Sequence, residues 1–192
     1  DAHINLGAAL HQQKRIDDAI VDYKTALSLD PKALSALTNM ADALAQLYRL
    51  EEAETIARTA IDMKADNPAA WNNLSTVLYR QARFNEAIDA ARKSIALDPA
   101  SHSAHANLGI SLLMLSQYEE GWREMESRVG EYRMSPTGRR IWDGSPLNGQ
   151  AIALRAEQGF GETIQFIRYA KRVRDERGGR VIVEVPPELK AL

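Results

Sequence analysis

The chain contains no cysteine. That excludes a disulfide framework and any zinc site built on thiolates. It also carries little net charge: 24 Lys+Arg stand against 26 Asp+Glu, for a formal charge of -2. Such a balance gives no electrostatic reason to expect nucleic acid or an anionic membrane surface as partner. No apolar run approaches the roughly 18 residues of a membrane span. No signal-peptide pattern opens the chain either, so a cytoplasmic location is expected. Asp1 stands where a starting Met would, already within a helical pattern, and the 192 residues read as a piece of a longer protein. Histidine is sparse. His102 and His105 are three apart, but His105 falls in the packing column held by Trp71, so no metal site is expected.

What the sequence does have is internal repetition, which decides the fold before any local reading. Asn5, Asn39, Asn73 and Asn107 stand 34 residues apart. The same spacing relates Leu6, Met40, Leu74 and Leu108, and again Leu10, Leu44, Leu78 and Leu112. Small residues recur at Gly7, Ala41, Ser75 and Gly109, and at Ala19, Ala53, Ala87 and Gly121. Leu6 and Leu10 are four apart, on one helical face. The small columns let a second helix approach closely. Asp30-Pro31, Asn67-Pro68 and Asp98-Pro99 end helices. Asp17-Asp18, Glu51-Glu52 and Glu119-Glu120 open second helices, where the macrodipole favours negative charge.

Period and columns together resemble the tetratricopeptide repeat. The third unit matches best, with Trp71-Asn72-Asn73-Leu74, Phe84-Asn85-Glu86-Ala87 and Ile95-Ala96-Leu97-Asp98-Pro99. Four units are expected, at 1–33, 34–67, 68–101 and 102–128, where Arg128 replaces the usual small residue and ends the array. The resemblance implies a right-handed α-solenoid whose first helices line a concave groove. The Asn column precedes the packing Leu by one residue, which puts it on the groove side. A carboxamide can pair with both the N–H and C=O of an extended peptide. The four asparagines therefore resemble the ladder in the repeats of O-linked N-acetylglucosamine transferases. With Asp42, Thr76, Tyr79 and Arg80, and Gln46 beside them, they make a candidate peptide-binding groove. They lack the basic cluster by which chaperone-binding members of the family clamp a C-terminal carboxylate.

Composition changes after residue 128. Gly130, Pro136, Gly138, Gly144, Pro146 and Gly149 punctuate residues 129–150, and Trp142 and Leu147 mark this stretch as an ordered connector. A strand is expected at 151–156, a glycine turn at 158–162, a helix at 163–177 and a second strand at 180–185. Gly178-Gly179 ends the helix. Strand, helix, strand implies parallel pairing, and residues 151–192 read as a partial, truncated βαβ unit of Rossmann-like type. The expected class is thus mainly α, with that unit appended.

Trp142 to Gly149, followed by Glu157-Gln158-Gly159-Phe160-Gly161-Glu162-Thr163, resembles the junction in bacterial proteins where such repeats precede a heptosyltransferase-like glycosyltransferase domain. The resemblance implies a parent enzyme using a nucleotide-sugar donor. Glu162 would be its general base, with Arg155, Gln158, Gly159, Gly161 and Arg168 near the cleft. The donor domain of that family is C-terminal and outside this chain, so no cofactor and no turnover are expected of these 192 residues alone. Expected partners are a protein or peptide, and a second copy meeting the truncated sheet. The competing reading is a pure scaffold or oligomerisation protein without transferase activity.

Overall fold

The structure is a computed structural model, and it describes residues 1–127, 142, 144–155, 167–185 and 187. The chain divides into two compact units, residues 1–132 and 133–192. The described residues of the first are helical throughout: α1 (Ala2–Gln12), α2 (Ile16–Leu29), α3 (Leu34–Gln46), α4 (Leu50–Met63), α5 (Pro68–Arg80), α6 (Phe84–Leu97), α7 (His102–Met114) and α8 (Tyr118–Ser127).

The breaks between helices follow from a few residues. Asn67 caps α5: its Oδ1 accepts from Ala69 N–H at 2.9 Å and Ala70 N–H at 3.2 Å, with Pro68 as the first helical residue. Inside each unit the turn is the same. Lys14, Tyr48, Ala82 and Ser116 take φ of 64°, 58°, 60° and 61°. The residue after each of them donates its N–H to a carbonyl five positions back: Arg15 to Leu10, Arg49 to Leu44, Arg83 to Leu78 and Gln117 to Leu112. This left-handed closure satisfies carbonyls that the helix end leaves open, at some cost for a residue with a Cβ.

Packing follows the columns. Leu44, Leu78 and Leu112 are buried. Met40, Leu74 and Leu108 are buried too, each in a core cluster that includes the second helix of the unit before it, with Ile20, Ala57 and Ala91 respectively. Leu6 shares that column yet is 51% exposed, against 3% for Leu74. The later members of the column have a preceding second helix in their clusters, which Leu6 does not have among these residues. Ser75, in a small column, donates its hydroxyl to the Ala87 carbonyl at 2.9 Å, tying α5 to α6.

Each first helix touches the first helix of the next unit, α1 with α3, α3 with α5 and α5 with α7, while successive second helices hardly meet. The first helices therefore lie on the inner, concave side of the array.

In the second unit, β1 (Ala151–Arg155) and β2 (Arg180–Glu184) pair in parallel, from Ala151 opposite Arg180 to Arg155 opposite Glu184. Between them in sequence lies α9 (Tyr169–Arg177), closed by Gly178 at φ 68°. Gly179 follows because a Cβ there would collide with the Gln150 carbonyl oxygen. The connector residue Leu147 is buried and donates its N–H to the Arg177 carbonyl at 2.7 Å. Of the truncated Rossmann-like βαβ unit expected from the sequence, the described residues show a two-stranded parallel sheet with α9 between its strands in sequence, and no wider layering. Among the described residues of this unit, Ile182 and Val183 of β2 are exposed and no residue of the largely charged α9 is buried. Glu162, Gln158, Gly159 and Gly161 lie outside the described residues. Arg155 ends β1, and Arg168 precedes α9 with its guanidinium 5.0 Å from the Tyr169 ring.

Candidate functional site

The asparagine column sits on the seam between successive first helices. Asn73 on α5 donates its Nδ2 to the Thr38 carbonyl of α3 at 2.8 Å. Asn107 on α7 donates to the Asn72 side-chain oxygen at 3.0 Å and to the Thr76 hydroxyl at 2.8 Å, both on α5. These two amides therefore spend their donors on holding the array together. Asn39 is half-buried and has no side-chain hydrogen bond among the described residues; Asn5 has none either and is exposed.

The remaining groove candidates divide in the same way. Tyr79 packs on the second core cluster, its ring 6.1 Å from that of Phe84. Arg80 donates to the Ala45 carbonyl of α3 and holds its guanidinium 5.0 Å from the Tyr48 ring centroid. Both make contacts within the array and remain partly exposed. Asp42 is more open, its side chain 47% exposed. Its Oδ2 accepts from Gln46 Nε2 at 3.1 Å and lies 3.8 Å from His11 Nε2.

Where Asn39 and Asp42 face α1, the surface sinks into an open depression of about 320 Å³, lined also by His11, Gln12, Lys14 and Tyr23. Tyr23 is the residue that sequence reasoning missed. It comes from α2 and is fully buried, and its hydroxyl is the one buried side-chain polar atom without a hydrogen-bond partner among the described residues. Burial, and after it the charge of Asp42, push the phenol above its ordinary value, so it holds its proton at neutral pH. The signal was legible in the columns. Tyr23 stands where other units have Ala57, Ala91 and Met125, and Gly7 stands opposite it. A Cβ on Gly7 would meet the Tyr23 ring at 2.6 Å, so the glycine makes room for the ring.

Two of the histidines are engaged by carboxylates. His3 Nδ1 lies 2.7 Å from Asp22 Oδ1, and His105 Nδ1 lies 2.5 Å from Glu124 Oε2, with His105 Nε2 at 3.1 Å from the Pro99 carbonyl. Among the described residues no group of three or more His, Cys, Asp or Glu is placed to hold a metal ion, and no helix is long and apolar enough to cross a membrane.

Comparison with known proteins decides the family. The tetratricopeptide-repeat family matches residues 1–33 and, in two overlapping stretches, 38–102 and 72–121. The chain is a tetratricopeptide-repeat protein. Solved structures agree with the fold of this repeat protein. TTC0263, a thermophilic tetratricopeptide-repeat protein of Thermus thermophilus, superposes with a TM-score of 0.64 at 18% identity, over 69% of this chain and 74% of its own. PilF of Pseudomonas aeruginosa gives 0.63 at 25% identity, over 71% and 63%. Residues 41 to the end of MamA from Desulfovibrio magneticus RS-1 give 0.60 at 17%, over 68% and 74%. Among curated proteins none matches the chain. Tetratricopeptide repeats generally mediate protein interaction, and the repeat protein described here carries such a module.

Proposed function

We propose that the concave face formed by α1, α3, α5 and α7 is a docking groove for an extended peptide or an exposed segment of a protein partner. The observation that carries this reading is the division of labour along the asparagine column. Asn73 and Asn107 are tied into the array, while Asn39 keeps its amide uncommitted beside Asp42. An inner face with unspent carboxamides at Asn5 and Asn39 and a half-exposed carboxylate at Asp42 suits capture of peptide main chain and a polar side chain. The test is selection of binding peptides from a random library, followed by affinity measurements on variants. N39A is expected to weaken a selected peptide about tenfold, in line with loss of one well-made hydrogen-bonding group. N73A is expected to lower the melting temperature with a smaller effect on affinity. Equal affinity of N39A and the unchanged protein would refute the groove.

For the tail, the reading as the opening of a heptosyltransferase-like glycosyltransferase domain is retained as a second proposal. It is favoured by the parallel β1–β2 pairing around α9 and by the Gly159-Phe160-Gly161-Glu162 turn in the sequence. On this reading Glu162 is the acceptor-side base of the longer parent, the donor is a nucleotide sugar, and the repeats present the acceptor. Nucleotide release by the parent from UDP-, GDP- or ADP-sugars, abolished by Glu162→Ala, is the supporting result. No release from a folded parent would leave a scaffold.

A further inference from the structure

We infer that the depression between α1 and α3 is a subsite for a primary ammonium, the side chain of a lysine on the docked protein segment. The inference rests on the groove reading above and deepens it.

It starts from the Tyr23 hydroxyl. A buried polar atom without a partner is costly, and native structures rarely keep one unless water or a ligand completes it. Packing does not require the hydroxyl, because the same column holds Ala57, Ala91 and Met125 in the other units. The ring fills the space that Gly7 leaves, and Tyr23 is among the residues that line the depression, with Asn39 and Asp42. Asn39 is the half-buried member of its column whose amide the array does not use, whereas Asn73 and Asn107 are both spent. Asp42 gives one oxygen to Gln46 and keeps the other, Oδ1, without a hydrogen bond among the described residues.

Three side chains that carry acceptor oxygens thus meet at one recess: Tyr23, Asn39 and Asp42. An alkylammonium has three donors and no acceptor, which is the complement of that set. Asp42 supplies the counter-charge. Its influence already reaches the phenol, since it helps to hold the Tyr23 proton. A carboxylate ligand would instead face Asp42 with like charge. His11 stands 3.8 Å from Asp42 and bounds the recess on the α1 side. Lys14, the other titratable group of the lining, is exposed on the rim in the α1–α2 turn, where solvent and salt screen its charge. The aliphatic stem of an entering lysine would lie against Ala8.

The test uses the full chain and three alanine-rich heptapeptides whose central residue is lysine, norleucine or glutamate. Binding is followed by NMR at the Asn39 side-chain amide and the Tyr23 ring. The lysine peptide is expected to bind at least tenfold more tightly than the norleucine peptide and to shift both signals. D42N should bring the lysine peptide down to the norleucine level. Y23F should weaken it several-fold while leaving the melting temperature unchanged or higher, a combination that a merely structural hydroxyl would not give. Equal binding of the lysine and norleucine peptides along α1, α3 and α5 would overturn the subsite and leave the groove standing. Preference for the glutamate peptide would overturn it with the opposite charge rule. If no peptide perturbs the first helices, the groove fails, and N-acetyl-lysine methylamide at millimolar concentration decides the subsite alone. Shifts at Asn39 that D42N removes would support it. Their absence would mean that the recess holds water only, and the inference would be wrong.

Discussion

The outer repeats and the inner repeats reach one fold by two different packings. In the first and fourth units a glycine on the first helix faces a large residue on the second, Gly7 with Tyr23 and Gly109 with Met125. In the second and third units the same positions hold Ala41 with Ala57 and Ser75 with Ala91. A second pair of columns alternates in step. His3 with Asp22 and His105 with Glu124 bridge the helices of the outer units, where the inner units have Leu37 with Ile56 and Trp71 with Ala90. What the backbone conserves is the summed volume and the helix spacing. The identity of each side chain is free once its partner compensates. Of the two large residues, only Tyr23 adds a polar group, a buried hydroxyl without a hydrogen-bond partner among the described residues.

The sharpest way to break this comparison uses the leucine column. L74A, at a buried inner position, is expected to cost about 3 kcal/mol, the usual range for a core leucine truncation. L6A, at the half-open outer position, should cost under about 1 kcal/mol, because little apolar area leaves the core. Equal costs by urea denaturation would mean that the outer unit is packed like the inner ones. Next in size is G7A, which forces a Cβ into the Tyr23 ring and should cost about 2 kcal/mol by overpacking. Combining G7A with Y23A should cost less than the sum of the two single changes, and an additive double mutant would show that the two positions are not matched. The smallest effect concerns what all four units share. Ala82 is held at φ 60° in the turn between α5 and α6. A82G is expected to raise stability by about 0.5–1 kcal/mol, by removing the left-handed penalty of a Cβ while giving back some backbone entropy. A lower melting temperature for A82G would contradict that.

Much of this was legible in the sequence because period and column identity are enough to place helices. Asp-Pro and Asn-Pro fixed the unit ends, and the small columns fixed the close approaches. In the tail, Gly178-Gly179 correctly ended α9, and both strands lie within a residue of their expected bounds. What period does not give is the neighbour. Asn73 and Asn107 lie on the expected inner face, but they also lie within reach of the helix before, and their donors go there. Tyr79 and Arg80 were read as groove residues from their place on α5; one packs against Phe84 and the other reaches back to α3. Leu6 fits its column perfectly and is exposed, since burial needs a preceding second helix. Tyr23 could have been found by asking which column breaks its own size rule and what stands opposite the exception.

The central claim is that the first helices form the binding face. The measurement that tests it most directly is backbone amide NMR mapping of a library-selected peptide on the full chain. The account expects shifts concentrated in α1, α3, α5 and α7, strongest around Asn39 and Asp42. Shifts confined to α2, α4 and α6, or to β1, α9 and β2, would contradict it.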